Sequence, residues 1–159
     1  MAVHQHESID VQDTETSFIV LHQNIMGLLN KSEELICSLS PDFPQVLCLT
    51  EHHLIHFDIV FIYMDQYKLS AKFCGESHKC GGVSTFVHDT LQCTNINLDE
   101  FCKEQSIEAC AVKINLSSLT ICILSIYRSP TGNFLCFLCT LESILNFLHN
   151  NTILIIICD

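Results

Sequence analysis

The stretch that most constrains the fold is Gln45–Glu51, a short apolar run that ends on a carboxylate. Pro41 and Pro44 lie just upstream, and a continuous apolar run bounded by turn signals predicts a strand buried on both faces. A carboxylate at the end of such a strand loses hydration energy unless a cation or hydrogen-bond donors meet it. Ligands bind at the strand ends of open α/β sheets. Glu51 is therefore the first candidate functional residue, and the alternative is a Glu that begins a solvated loop.

The composition predicts one globular domain with few positive charges. The 159 residues are 48% hydrophobic and 16% charged, which is sufficient for one domain with its own core. The net charge is −11 with 7 Lys and Arg, and this balance argues against sequence-independent binding of nucleic acid phosphates by basic side chains. Residues 1–15 are polar and acidic, so we predict a disordered tail there and one domain over 16–159.

No signal peptide opens the chain, so we expect a nuclear or cytoplasmic protein that is not secreted. No membrane span is expected, since the apolar stretches 119–127 and 134–148 are too short or too interrupted.

The eleven cysteines predict neither a disulfide framework nor a convincing zinc site. Cys136 and Cys139 form the one C-x-x-C pair, and they lie in an apolar helical pattern. Cys74 and Cys80 lie close to His78, but no second half-site follows at zinc-finger spacing. Most of the other cysteines lie in apolar runs, where a free Cys behaves as a small hydrophobic residue. Structural zinc is therefore the weakest of the alternatives.

The order of the predicted elements is typical of an α/β protein. Residues 52–65 are ambiguous between a loop and a short helix, and 92–106 is predicted to be a polar connection. The first two strands and the helix between them form a βαβ unit, whose parallel strands bring Asn24 and Glu51 to one sheet edge. Gly81-Gly82 indicates a close backbone approach or a bulge. Strands are predicted at 17–24, 45–51, 67–73, 82–88, 107–116, 119–127 and 152–159, and helices at 30–39 and 134–149.

Four of the predicted strands end on polar side chains. These are Asn24, Glu51, Tyr127 with Arg128, and Asp159. One such ending means little, but four in one α/β chain indicate a shared site above one sheet edge. Carboxylate and amide oxygens suit a hard divalent cation such as Mg²⁺, while Tyr and Arg side chains suit the orientation of a phosphate.

Five short motifs also occur in an order that resembles a known family. They are Gln23-Asn24, Leu49–His53, Gly81–Val83, Ile107-Glu108 and Ser125–Pro130. Together they resemble the endonuclease/exonuclease/phosphatase superfamily, most closely the endonuclease domain of non-LTR retrotransposons, from about Ser17 to Asp159. The resemblance implies a two-sheet α/β sandwich that cleaves a phosphodiester with Mg²⁺ or Mn²⁺ and nicks DNA.

The resemblance also implies a role for each strand-end residue. Glu51 matches the principal metal ligand, and Asn24 matches the amide that helps to hold the metal or its water. Tyr127 matches the active-site tyrosine near the scissile phosphate, and Arg128 is expected to contact the substrate. Asp159 lines up with the catalytic Asp of a Gly-Asp-x-Asn motif. DNA as a partner rests on the resemblance alone, because the acidic charge does not favour it, and a fusion to a reverse transcriptase is expected in the full-length element.

The chain departs from the family pattern near Asp159. Cys158 stands where Gly is expected, and the segments of the family that supply the following Asn and the general-base His have no counterpart. We therefore predict an incomplete two-sheet sandwich, truncated at its C terminus, with the inner face of one sheet exposed. Such a chain is expected to be inactive alone and poorly soluble. The alternative is a non-catalytic remnant of the same fold that binds metal or protein.

Overall fold

Two mixed β-sheets pack face to face in the computed structural model, which describes residues 5–9, 17–76, 80–149 and 152–159, with side chains from residue 17 onward. The first sheet has five strands and the second has four. The elements in chain order are β1 (Gln5–Ile9), β2 (Phe18–Asn24), α1 (Ser32–Leu39), β3 (Val46–Thr50), α2 (His56–Ile59), β4 (Tyr67–Phe73), β5 (Val83–His88), β6 (Cys93–Ile96), β7 (Ile107–Asn115), β8 (Thr120–Arg128), α3 (Phe134–Leu148) and β9 (Ile153–Cys158).

The strand order places the most apolar strands in the middle of each sheet. The first sheet has the order β1-β2-β3-β5-β4, and the second has the order β6-β7-β8-β9. All five residues of β3 are buried, as expected for a strand that is covered on both faces. β7 and β8 pair antiparallel over nine residues and occupy the centre of the second sheet. The prediction of a two-sheet α/β sandwich is confirmed.

The βαβ unit of β2, α1 and β3 is also confirmed. β2 and β3 are parallel, and their register places Asn24 opposite Thr50. Helix α1 crosses over the outer face of the first sheet and buries Leu35 there. Helix α3 covers the outer face of the second sheet through Phe137, Ile144 and Leu148.

The inner faces of the two sheets are closed against each other, contrary to the prediction of an exposed inner face. Val46 and Val87 of the first sheet share one buried cluster with Val112 and Ile123 of the second. The prediction was wrong because β6 to β9 supply enough apolar side chains to cover the first sheet. Exposed apolar surface lies instead on β9, at the edge of the second sheet, where Ile156 is 44% exposed.

Two strands were missed by the sequence analysis. Residues 5–9 form β1, although the whole segment 1–15 was predicted to be disordered; the rest of that segment lies outside the described residues. The supposed polar connection at 92–106 contains β6. Both are edge strands, and an edge strand is stabilised mainly by backbone hydrogen bonds to one neighbour. Such strands need little of the apolar pattern from which buried strands are recognised.

The cysteines are core or surface residues and do not form a disulfide framework. All eleven lie within the described residues, and none of them forms a disulfide. Burial raises the pKa of Cys48 and of Cys74 to about 11, so both thiols stay protonated and unreactive at neutral pH. His78 lies outside the described residues. Within them, no helix has both the length and the apolar character that a membrane crossing requires.

Candidate metal centre

The polar residues at four strand ends meet at one edge of the sandwich. β2 ends at Asn24 and β3 at Thr50, which are direct partners in the parallel register. β8 and β9 are also parallel, and Asp159 follows β9 with its carbonyl oxygen 3.0 Å from the Arg128 backbone nitrogen, which donates to it. The carboxyl ends of parallel strands therefore bring residues from both sheets together, whereas the sequence analysis placed all four strand ends above one sheet.

The carboxylate of Asp159 joins the two sheets. Its Oδ2 accepts one hydrogen bond from Asn24 Nδ2 at 2.9 Å and another from Thr50 Oγ1 at 2.6 Å. The Asp159 backbone N–H donates to the carbonyl oxygen of Ile126 at 3.0 Å. Both the main chain and the side chain of Asp159 are thus fixed relative to β2, β3 and β8.

Glu51 follows Thr50 in a left-handed backbone conformation, with a φ of 52°. A non-glycine residue there loses about 1 kcal/mol or more because its Cβ crowds the backbone. The conformation is held by flanking bonds: Ile25 N–H donates to the Thr50 carbonyl at 3.0 Å, and Gly27 N–H donates to the Glu51 carbonyl at 2.8 Å. Strain of this kind concentrates at functional sites. The partly exposed Glu51 carboxylate lies 3.6 Å from His53 Nε2.

The hydroxyl of Tyr127 lies among the acidic side chains. Burial, the largest cause, raises the pKa of Tyr127 to about 12, and the charges of Glu51, Glu108 and Asp159 raise it as well. Tyr127 also has a side-chain hydrogen bond with Glu51. The phenol therefore keeps its proton at neutral pH and donates it to the Glu51 carboxylate.

The guanidinium of Arg128 is held beside the same edge. It lies 5.8 Å from the centroid of the Phe134 ring, in a cation–π arrangement, and its Nη1 makes a long hydrogen bond of 3.5 Å to the Ser129 carbonyl. No carboxylate pairs with it among the residues whose side chains are described. Its charge is thus available to an anion.

A second buried carboxylate explains the Gly81-Gly82 pair. Glu108 is 1% exposed and lies directly opposite Tyr127 in the β7–β8 ladder. Its Oε2 accepts from Gly82 N–H at 2.5 Å, and burial raises its pKa. A Cβ on Gly81 would lie 2.6 Å from the same oxygen. The backbone must therefore approach Glu108 closely, which confirms the interpretation of the glycine pair.

His52 packs behind the glycine pair as a neutral side chain. It is 0% exposed, its Nδ1 accepts from Leu54 N–H at 3.0 Å, and its Nε2 lies 3.0 Å from the Phe73 carbonyl, to which it donates. Burial lowers the pKa of His52 from the usual 6.5 to about 4. The ring thus belongs to the structural support of the site and not to a metal.

His52 is expected to make the protein sensitive to acid. Between pH 6.5 and 4 the unfolded chain binds a proton at this ring and the folded chain does not, so stability falls by about 3 kcal/mol as the pH falls through that range. His52→Asn, whose amide oxygen can still accept from Leu54 N–H, should lose correspondingly less stability than the wild type between pH 7 and 4.5 in urea unfolding. The exposed His56→Asn is the matched control and should follow the wild type; a similar acid sensitivity in all three proteins would contradict the assignment.

The donors at this edge fit a partly hydrated hard cation. Glu51 and Asp159 supply carboxylates and Asn24 supplies an amide, and Mg²⁺ is commonly bound through one or two carboxylates with several waters. Among the residues with described side chains, no lysine or arginine forms an ion pair with either carboxylate. These residues also contain no group of three or more His, Cys, Asp or Glu side chains that could hold a metal, so the fit depends on two carboxylates and the amide.

The sequence analysis missed residues that support these side chains. Thr50 bonds directly to Asp159, and His22 lies behind it, with Nε2 3.2 Å from Thr50 Oγ1. A hydroxyl in place of an apolar residue at the end of the buried β3 was the available signal for Thr50. His53 lies in the segment 52–65, which was ambiguous between a loop and a short helix, and its proximity to Glu51 depends on a left-handed turn that the sequence does not mark.

Several solved structures have a similar fold, and one of them is an endonuclease domain. The endonuclease domain of TRAS1, a telomere-specific non-LTR retrotransposon, has a TM-score of 0.64 at 14% identity, covering 88% of this chain and 57% of that chain. D. rerio TDP2 complexed with a single-strand DNA product has a TM-score of 0.59 at 14% identity, covering 87% and 58%. The human Nocturnin catalytic domain with bound sulfate has a TM-score of 0.53 at 18% identity, covering 88% and 63%.

This chain therefore spans less than two thirds of the length of each of these solved chains. No protein-family model matches the sequence, and no curated protein matches it significantly. At such low identity the likeness concerns the fold, and the retrotransposon endonuclease, TDP2 and Nocturnin share one architecture. The chain has the two-sheet α/β fold of the endonuclease/exonuclease/phosphatase type.

Proposed function

We propose that this chain binds a divalent cation, Mg²⁺ or Mn²⁺, through Glu51, Asp159 and Asn24, as part of a phosphodiesterase site that acts on DNA. The observation that carries the proposal is the meeting of two carboxylates and an amide at one sheet edge, with no described lysine or arginine paired to them. The charges of Glu51 and Asp159 both act on Tyr127, and acidic groups near one another repel unless a cation lies nearby. A bound divalent ion would supply Lewis-acid stabilisation of charge on a phosphate oxygen.

Two further side chains suit the binding of a phosphate beside that ion. Tyr127 keeps its proton at neutral pH, and once Glu51 binds the ion the phenol can donate to a phosphate oxygen instead of to Glu51. The guanidinium of Arg128 is held over Phe134 and offers a positive charge at the same edge. Such donors are worth most where they are fixed before the substrate arrives. In the proposed function both residues bind and orient the phosphate.

DNA as the substrate is supported by the nature of the similar structures. One is an endonuclease domain of a retrotransposon, and another was solved with a single-strand DNA product. The charge of −11 does not supply the phosphate contacts that DNA-binding proteins use, so the metal ion and other segments must compensate. An intracellular location and a fusion to a reverse transcriptase belong to the same proposal.

We further propose that these residues bind metal without appreciable turnover. The side chain of Asp159 is bonded to Asn24 and Thr50, neither of which activates water as a general base. The similar solved chains are longer, and we assign water activation to the part of that fold which this chain does not span. In this proposal the chain is the metal-binding portion of a larger nuclease.

Terbium luminescence can test the metal site directly. The sequence contains three tyrosines and no tryptophan, so excitation near 280 nm sensitises Tb³⁺ mainly through a nearby tyrosine, here Tyr127. We expect a saturable signal that Mg²⁺ and Mn²⁺ displace. Asp159→Asn should weaken Tb³⁺ binding at least about tenfold, because a ligand charge is lost. The exposed Asp42→Asn, which makes the same change elsewhere, should bind as the wild type does.

The same protein, incubated with supercoiled plasmid and Mg²⁺ or Mn²⁺, distinguishes the two parts of the proposal. Saturable Tb³⁺ binding without nicking supports metal binding without turnover. Strong metal-dependent nicking that Asp159→Asn abolishes would overturn the proposed inactivity and establish a nuclease. Absence of Tb³⁺ binding in a folded wild-type protein would overturn the metal site.

A further inference from the structure

A buried hydroxyl lies between a histidine and the carboxylate that joins the two sheets. Thr50 is 0% exposed, and its Oγ1 donates to Asp159 Oδ2 at 2.6 Å. On the other side, His22 Nε2 lies 3.2 Å from the same Oγ1. The three groups form a continuous line from β2, through the end of β3, to the residue after β9.

The direction of the hydrogen bonds in this line follows from proton counting. A threonine hydroxyl has one proton, and here that proton goes to the Asp159 carboxylate, which can only accept when ionised. The contact with His22 must then use a lone pair of Oγ1, so Nε2 carries a proton and donates. The line therefore runs from His22 Nε2–H to Thr50 Oγ1–H and then to Asp159 Oδ2, with each donor also polarising the next.

The hydrogen bonds also distinguish the two oxygens of Asp159. Thr50 and Asn24 both donate to Oδ2, at 2.6 and 2.9 Å. Hydrogen bonds to an ionised acceptor are the strong ones, and two of them on one oxygen fix the rotation of the carboxyl group. Oδ1 is then the oxygen that is left to face a ligand.

We propose that Thr50, supported by His22, is a positioning residue that orients the Asp159 carboxylate so that Oδ1 is presented to the cation. This inference rests on the proposed metal site and adds the groups that hold one of its ligands in place. Groups that fix a metal ligand from behind commonly change metal affinity about 10- to 100-fold when they are removed. The hydroxyl of Thr50 is expected to act in this range although it does not touch the metal.

The test compares Tb³⁺ affinity in three variants of the full chain. Thr50→Val has nearly the same shape but no hydroxyl, and we expect its Tb³⁺ affinity to fall at least about tenfold. Thr50→Ser keeps the hydroxyl and should restore most of the affinity. Thr85→Val makes the same change at another buried hydroxyl, which bonds to Ser125 between the sheets, and should bind Tb³⁺ as the wild type does.

Two further measurements separate orientation from a loss of folding. Tb³⁺ excited-state lifetimes in H₂O and D₂O count the bound waters, and a misoriented Asp159 should leave more water on the ion in Thr50→Val. His22→Leu changes the line one step further from the metal at a partly exposed position, and it should weaken binding, whereas His22→Gln, which retains an N–H donor, should weaken it less.

The possible results lead to different conclusions. Lower affinity and more bound water in Thr50→Val, with recovery in Thr50→Ser, support the positioning role. Wild-type affinity in a folded Thr50→Val, with normal Tb³⁺ binding by the wild type, overturns that role and leaves the proposed function intact. A wild-type protein that does not bind Tb³⁺ overturns the proposed function, and the positioning role with it.

Discussion

Replacing Gly82 by alanine is expected to destabilise the protein by about 2 to 5 kcal/mol, the sum of a backbone cost and a steric cost. Gly82 has a φ of +90°, where any side chain is strained. A Cβ at this position would also fall onto the imidazole ring of His52. That ring cannot turn away without breaking its hydrogen bonds to Leu54 and Phe73. Gly82 itself is held in place by its hydrogen bond to Glu108.

Gly27→Ala is the matched control for this prediction. Gly27 has a similar φ of +96°, but the nearest atom to an added Cβ is His53 Nδ1 at 3.8 Å, an ordinary contact. Only the backbone cost of about 1 to 2 kcal/mol should therefore appear in Gly27→Ala. Urea unfolding of the two variants measures the difference directly. Equal losses in both would show that the collision with His52 is relieved and that the packing described behind the site is wrong.

Replacing Glu51 by glutamine is expected to lower divalent-cation affinity about 100-fold, equivalent to about 2.8 kcal/mol of binding free energy. The side chain keeps its length and loses its charge. Glu51 has a side-chain hydrogen bond with Tyr127 and lies 3.6 Å from His53 Nε2, and its carboxylate remains partly exposed. Neither contact is a lysine or arginine, so the charge of Glu51 is available to a cation.

The measurement is a titration with Mn²⁺ by calorimetry, supported by Tb³⁺ luminescence. Glu142→Gln, at an exposed position in the middle of α3, is the control for the loss of one negative charge from an acidic protein. If both variants lose the same small amount of affinity, the cation responds to the overall charge and no site exists at Glu51. A decrease confined to Glu51→Gln supports direct ligation.

The central part of this architecture could be predicted from the sequence because buried parallel strands have an unambiguous pattern. The apolar run before Glu51 and the crossover from Asn24 were sufficient to place both residues at one edge, and β2 and β3 meet there in register. The edge strands β1 and β6 could not be predicted in this way, since their stability comes from backbone pairing with a neighbour. Apolar patterning identifies what is buried, and edges are only half buried.

The positions of polar residues at strand ends were predictable, but the contacts between them were not. A strand that ends on Glu51 or Asp159 is visible in the sequence, but which oxygen accepts from Thr50 depends on the distance between two sheets that are far apart in the chain. The packing of the two inner sheet faces against each other could not be predicted either, because it depends on how the four later strands fit over the five earlier ones. Such long-range packing is set by the three-dimensional complementarity of many side chains, to which single motifs contribute little.

The position of β9 at the sheet edge links the site to local opening of the fold. β9 is hydrogen-bonded to one neighbour, β8, and Asp159 follows it directly. Fraying of this one strand would carry Asp159 away from Asn24 and Thr50 while both sheets otherwise stayed intact. A cation bound by Asp159 would oppose that opening, so saturating metal should slow hydrogen exchange at the β9 amides selectively. In this protein, metal affinity and the fraction of molecules with β9 paired to β8 would then both report on the same opening equilibrium of β9.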